Sequence, residues 1–157
     1  MGPSEGSIAE QFTVLADLKR RGLIRHLGLS NVTSNQLAEA QTIDDVVCIQ
    51  NLYNVAHRSD DSFIDSLAKQ GIAYVPFFPL GGFTPLQSST LDAAAASVGA
   101  TQMQVALAWL LQRSANILLI PGTSSVDHLH DNLRAATIEL PQEIIAGLDA
   151  IAGVGVQ

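Results

Sequence analysis

Cysteine is almost missing from this chain of 157 residues: Cys48 is the only one. One thiol excludes an internal disulfide framework and is expected of a reducing cytosol. It sits in the apolar run VVCIQ, which predicts a core thiol rather than a nucleophile. Positive charge is also scarce, with 8 Lys and Arg against 15 Asp and Glu and a net charge of −7. That balance argues against nucleic acid or an anionic membrane as a partner, since both select clustered cations. The one basic cluster, Lys19-Arg20-Arg21, falls at the end of a predicted helix, where cations complement the helix dipole. No apolar run approaches the length of a membrane span and no signal peptide opens the chain, so a cytoplasmic protein is expected. No G-x-G-x-x-G follows a strand, no G-x-x-x-x-G-K-[ST] occurs, and no H-E-x-x-H is present. His26 and His57 have no partner pattern, and His128 and His130, two apart, face different sides of a helix, so no metal site is predicted.

What remains is a core-former: 47% hydrophobic and 15% charged residues, the profile of one well-buried domain over residues 1–157. The first six residues are turn-like and expected to be flexible. Ser7-Ile8-Ala9-Glu10 has the form of a capping box, and Ile8, Phe12, Leu15 and Leu18 follow at helical spacing until Gly22. Residues 23–29 read as a strand ending at Ser30-Asn31, and a helix starting at Thr33 or Ser34 follows. A second strand over residues 46–49 runs on through Gln50-Asn51-Leu52-Tyr53. The polar break HRSDDS leads to a helix carrying Phe63, Ile64 and Leu67, closed by Gly71. Residues 72–78 read as a third strand, then Pro79, the Gly81-Gly82 pair and a long loop whose Phe83 and Leu86 offer apolar contacts. Helical runs over residues 90–98 and 101–112 precede a fourth strand at residues 117–120. A helix from about Ser125 and another opened by Pro141 complete the chain.

Strands separated by helices imply parallel pairing. Their apolar character predicts burial on both faces. The polar strand ends, Ser30-Asn31, Gln50-Asn51, Phe77-Phe78 and Gly122-Thr123, all fall at C-terminal ends, where α/β barrels and open sheets alike bind ligands. The stretch LLIPGTSSVDHLHDN turns a strand into a helix over few residues, which aims backbone N–H groups at an anion. Each residue also has an ordinary reading. Ser30-Asn31 can cap the next helix, Gln50 can be a satisfied polar residue at a rim, and Phe77-Phe78 can be core. Trp109, beside Val105 and Ala106, reads as packing on the sheet.

Four stretches in this order, GLIRHLGLSN, CIQNLYN, IAYVPFFPLGG and LLIPGTSSVDHLHDNL, resemble the second half of an aldo-keto reductase over nearly the whole chain. The resemblance implies a partial (β/α)8 TIM barrel: the last four βα units with a preceding and a terminal helix. It implies NADP(H), with NAD(H) as the alternative, as cofactor for reducing small carbonyl substrates. Ser30, Asn31 and Gln50 would then hydrogen-bond the nicotinamide carboxamide, whose donors and acceptors Asn and Gln match. Phe77 would lie on the nicotinamide face. Phe78 and Leu80 would line the pyrophosphate, and Gly122, Thr123, Ser124, His128, Asp131 and Asn132 the adenosine end. Family members often place Lys or Arg near this last turn to clamp a 2′-phosphate. Here Gly122 and His128 stand there, with Asp127 and Asp131 adjacent, so NADP preference has little support from these residues.

The family's catalytic Asp, Tyr, Lys and His come from the first half of the barrel, which the resemblance places outside this chain. Tyr53 and Tyr74 are the only tyrosines, Lys19 and Lys69 the only lysines, and none forms a replacement tetrad, so no catalytic residue is assigned. The expectation is a truncated half-barrel, inactive alone, that self-associates or needs its missing half. A non-catalytic nicotinamide-nucleotide-binding regulatory module and another phosphate-binding barrel are the alternative readings.

Overall fold

The computed structural model describes residues 6–81 and 88–153; the turn-like start at residues 1–5 and the loop residues Phe83 and Leu86 lie outside them. The elements are α1 (Ala9–Arg20), β1 (Gly28–Ser30), α2 (Ser34–Gln41), β2 (Cys48–Gln50), α3 (Asp61–Gln70), β3 (Ala73–Tyr74), α4 (Ser89–Val98), α5 (Gln102–Arg113), α6 (Val126–Arg134) and α7 (Gln142–Asp149), with single 3-10 turns at Ala135–Thr137 and Ile151–Gly153. The strands pair in parallel in the order β1-β2-β3, with Leu29 opposite Ile49 and Ile49 opposite Tyr74.

The expected fourth strand is reduced to one bridge, Ile117 with Tyr74. The Tyr74 N–H donates to the Asn116 carbonyl at 2.8 Å and the Leu118 N–H to the Tyr74 carbonyl at 2.9 Å. The next rung would be donated by residue 76, which is a proline and has no N–H. On its other side β3 donates through Ala73, Val75 and Phe77 to β2 and the residues around it, so that ladder runs on past the proline.

Helix starts are partly as expected. Thr33 and Thr101 each form a full capping box, with Gln36 and Gln104, and Ser125 accepts from the His128 N–H. The expected box at Ser7 does not form. Instead Glu39 of α2 reaches across, accepting the Ser7 hydroxyl at 2.6 Å and the Ile8 N–H at 2.8 Å. Those two hydrogen bonds hold the Glu39 carboxyl below its ordinary range. A carboxylate from a neighbouring helix thus satisfies the first turn that Glu10 was expected to serve. The buried face of α1 is Phe12 and Ala16, and Leu15, expected on it, stays 39% exposed. Pro141 is the cap of α7 rather than its first residue. Gly71 ends α3 in the left-handed region at φ 69°, with the Ile72 N–H returning to the Leu67 carbonyl.

Burial alternates along the strands, against the expectation of two covered faces. Leu27, Ile49, Ile72, Tyr74 and Ile117 are buried beneath the helices, whereas Gly28, Ser30, Leu118 and Ile120 are exposed. Cys48, expected in the core, is half-buried on that second face. A barrel strand is covered inside only by the strands opposite it, and this sheet has too few strands to curl over itself.

The covered side is dense. α5 is buried from Gln104 to Leu110, and each large apolar side chain sealed there contributes roughly 1.5–3 kcal/mol. Trp109 stacks on Tyr53 at 5.8 Å, Tyr53 meets Tyr74 edge-on at 5.8 Å, and the Arg58 guanidinium lies 5.2 Å over the Trp109 ring. The Trp109 indole N–H donates to Asp149 at 2.9 Å, tying α5 to α7. The polar break HRSDDS turns out to feed this core. Asp61 accepts from the Tyr53 hydroxyl and faces Arg58 and Arg113, while Arg58 also holds Asp149 at 2.7 Å and Arg113 holds Asp65 at 2.9 Å.

Burial, then the hydrogen bond to Asp61, push the Tyr53 hydroxyl up to about 12. Burial also works to raise the Asp61 carboxyl, but the hydrogen bonds from Tyr53 and Arg58 and the two arginine charges outweigh it and leave it lowered. A lowered carboxyl stabilises the fold above its unfolded value of about 4, and that stability is lost as pH falls through the folded value. Asp61→Asn is therefore expected to cost about 1 kcal/mol at pH 7, allowing for solvent screening, and to flatten the loss of stability in acid. Urea unfolding from pH 7 down to pH 3 checks this; an acid slope unchanged by the substitution would contradict it.

Candidate functional site

The uncovered face of the sheet carries the strand-end residues singled out in the sequence. The register sets Gly28 against Cys48 and Ser30 against Gln50, and Leu52 bridges to Phe77. The first pair is close. A Cβ on Gly28 would stand 2.5 Å from the Cys48 Sγ and 3.1 Å from the Cys48 carbonyl oxygen, so any larger residue there has to displace the Cys48 side chain. One step up, Ser30 is exposed and Gln50 half-buried, which leaves both side chains available above the sheet. Asn31 turns the chain at φ 59°, its N–H held by the Gln50 carbonyl at 2.8 Å. Asn tolerates this left-handed conformation better than most residues.

The second group gathers where β3 ends. Phe78, at φ 53°, is 44% exposed and meets Phe77 edge-on at 5.4 Å. A phenylalanine held in the left-handed region stores roughly 1–3 kcal/mol of strain, which surrounding contacts must offset. A groove of about 450 Å³ runs between this corner and residues 120–122, lined by Phe77, Phe78, Pro79, Leu80, Ile120, Pro121 and Gly122. Gly122 is not among the positive-φ glycines, and a Cβ built on it meets nothing within 4 Å. Neither backbone nor packing demands a glycine there, whereas a ligand lying close against the backbone would.

The third group is the turn into α6. The Thr123 hydroxyl oxygen accepts the Ser125 N–H at 3.0 Å, and the Ser125 side chain caps α6 through the His128 N–H at 3.4 Å. Ser124 and His128 are exposed, and Asn132 is half-buried. Asp131 is shared with the scaffold: its carboxylate meets Gln104 of α5 and Arg134, each at 3.4 Å. The structure thus brings Phe77, Phe78, Leu80 and Gly122 into one groove, with Ser30, Asn31 and Gln50 on the strands to one side and Thr123 to Asn132 on the turn to the other. Ile120 and Pro121 line the groove as well, which the sequence reading missed because it took them as plain strand and strand end. Also missed was Asn54, fully buried and bonded to the Phe78 carbonyl. The only signal for it was its place in Q-N-L-Y-N, beside residues already singled out.

Tyr53 and Tyr74 are both fully buried on the covered side, bonded to Asp61 and Asp60. Burial and the neighbouring carboxylates push both hydroxyls up, so neither is an acid for the open face. Among the described residues no group of three His, Cys, Asp or Glu side chains is placed to hold a metal ion. No single helix among them is long and apolar enough to cross a membrane.

Comparison with known proteins supplies a context for this geometry. The model of the Aldo/keto reductase family matches residues 3–152. Pyridoxine 4-dehydrogenase of Escherichia coli (strain K12) is 65% identical over 151 residues, which is 96% of this chain and 53% of that protein. An uncharacterized oxidoreductase of Schizosaccharomyces pombe is 43% identical over 141 residues, 89% of this chain and 46% of that protein. Among solved structures, a thermostable aldo-keto reductase in complex with the inhibitor epalrestat superposes with a TM-score of 0.84 at 34% identity, over 96% of this chain and 57% of its own. Aldose reductase from Giardia lamblia, at 22% identity, shares the fold with a TM-score of 0.83 over 95% of this chain and 52% of its own. The chain spans about half the length of the curated relatives it matches.

Proposed function

The chain belongs to the aldo/keto reductase family and has the fold of half a (β/α)8 barrel, and on that premise we propose that it is the nicotinamide-nucleotide-binding half of an oxidoreductase. The observation that carries this reading is the groove between Phe77–Leu80 and Pro121–Gly122, on a sheet where Ser30 and Gln50 stand in register. Its residues fit a dinucleotide in three parts. Ser30, Asn31 and Gln50 offer the donors and acceptors that a carboxamide needs. Phe77 gives a flat apolar wall for a ring, and the groove past Phe78 and Leu80 gives the pyrophosphate a passage. The turn from Gly122 to Ser124, opening α6, presents backbone N–H groups and hydroxyls at a helix N-terminus, with His128, Asp131 and Asn132 beyond it.

The bound nucleotide would supply or accept the hydride. What this chain contributes is orientation and exclusion of water on one side. The proton donor has to come from elsewhere, since both tyrosines are sealed beneath the helices. The chain alone is therefore read as inactive. Its proposed substrate in the complete barrel is a small alcohol–carbonyl pair, and the 65% identical relative, named for the 4-position of pyridoxine, makes that hydroxymethyl group the first candidate. With Gly122 and His128 where a cation would clamp a 2′-phosphate, NADP(H) is favoured over NAD(H) only weakly. A nucleotide-binding regulatory module remains the second reading, favoured by the burial of both tyrosines.

Titration of the chain with NADPH and NADH, followed by nucleotide fluorescence, tests the assignment. Binding of both is expected, with affinities within about tenfold of each other, and Gly122→Val should weaken both while leaving the unfolding midpoint nearly unchanged. No binding of either nucleotide, in the chain or with a complementary half-barrel added, would overturn it.

The same reading gives the apolar residues left exposed an occupant. Leu118 and Ile120 are 57% and 47% exposed on the sheet, and Val126, Leu129 and Leu133 of α6 form a stripe at 69%, 48% and 61%. Such a surface is normally covered, and we assign it to the complementary half of the barrel, with a second copy as substitute. Light scattering on the purified chain should give a mass above the 16.6 kDa monomer; a monomer that binds no hydrophobic dye would contradict the assignment.

A further inference from the structure

Among the described residues, Asn31 and Phe78 are the only non-glycine residues at positive φ, and both stand on the rim of the proposed nucleotide site. Each is braced from the same short segment leaving β2. Asn51 and Asn54, 3% and 0% exposed, lie three residues apart and reach in opposite directions.

Asn51 serves the β1 side. Its Oδ1 accepts the Val32 N–H at 3.0 Å and its Nδ2 donates to the Val32 carbonyl at 2.8 Å, so the side-chain amide stands in for a neighbouring strand just after the turn at Asn31. Asp60 fixes that amide, accepting its second N–H at 2.8 Å and the Tyr74 hydroxyl at 2.9 Å. Asn54 serves the β3 side. Its Nδ2 donates to the Phe78 carbonyl at 3.0 Å, and its Oδ1 accepts the N–H groups of Ala56 at 2.9 Å and His57 at 3.1 Å. The Phe78 carbonyl also accepts the Gly81 N–H at 3.0 Å, so both of its lone pairs are used and the peptide plane cannot rotate freely. In both amides oxygen meets donors and nitrogen meets acceptors, which leaves one orientation.

We infer that Asn51 and Asn54 are positioning residues that hold the two strained corners of the rim, Asn54 fixing Phe78 so that its ring lines the groove. They touch the rim from behind, through backbone atoms, and need no contact with the nucleotide. An aspartate has nearly the same shape but accepts only, so it cannot replace either brace. The role in binding rests on the nucleotide reading above; the bracing of Phe78 does not.

The experiment is a double-variant cycle on the 157-residue chain. Asn54→Asp is made alone and with Phe78→Gly, a residue that enters the left-handed region without help. Urea midpoints are measured for all four proteins and NADPH affinity for the wild type and Asn54→Asp. The expected result is a midpoint loss from Asn54→Asp that falls to half or less in the Phe78→Gly background, and an NADPH affinity weakened about tenfold in Asn54→Asp. If Asn54→Asp alone does not fold, the double variant should. Equal midpoint losses in the two backgrounds, a double variant that also fails to fold, or unchanged affinity beside a wild type that binds would overturn the inference. A wild type that binds no NADPH sinks the nucleotide reading, while the midpoint comparison still decides the brace.

Discussion

Side chains of a parallel strand alternate between two faces, and among the described residues only one face is covered. Leu27, Ile49, Tyr74 and Ile117 fall on the covered parity and form the floor on which the helices sit. Gly28, Ser30, Gln50 and Phe77 fall on the other, so assigning Ser30, Gln50 and Phe77 to the proposed site is also a statement about parity. A shift of one residue in the register would send Ser30 and Gln50 beneath the helices and bring Tyr74 to the open face. The register brings Gly28 close against Cys48 and is held at Tyr74, whose hydroxyl is fastened to Asp60 on the covered side.

The covered side does more than seal apolar surface. Its polar residues run in two connected sets. One joins Tyr53, Asp61, Arg58, Arg113, Asp65, Asp149 and Trp109, and locks the terminal helix to the sheet. The other joins Tyr74, Asp60, Asn51 and Val32, and ends behind the rim. Linked polar groups of this kind, part-exposed at Asp61, Asp65 and Asp149, hold one backbone geometry only while every partner is present. Here the geometry they fix contains residues that would relax if released.

Much of this was legible in the sequence, and the reasons differ by element. The helices announced themselves through period and punctuation: Ile64 and Leu67 with Gly71 after them are found as expected. The strands were located, but their one-sided burial was not, because Leu27-Gly28-Leu29 and Val75-Pro76-Phe77 read as apolar throughout when glycine, proline and an exposed ring count with the core. The fourth strand failed for a reason written elsewhere in the chain, at Pro76, which no reading of residues 117–120 alone could supply. The break HRSDDS read only as a polar lead into a helix because its partners, Arg113 and Asp149, are far away in sequence. Ser30, Gln50 and Gly122 were singled out by their place at strand ends, whereas Asn54 acts from behind the rim and leaves only a buried contact as its mark.

The central claim is that the open face, and no other surface, holds the nucleotide. Hydrogen exchange of the backbone amides with and without NADPH tests it directly. The account predicts added protection at residues 30–32, 77–81 and 121–125, and none in α3 on the covered side. Protection confined to the covered helices, or no change at the three strand ends under saturating NADPH, would contradict it.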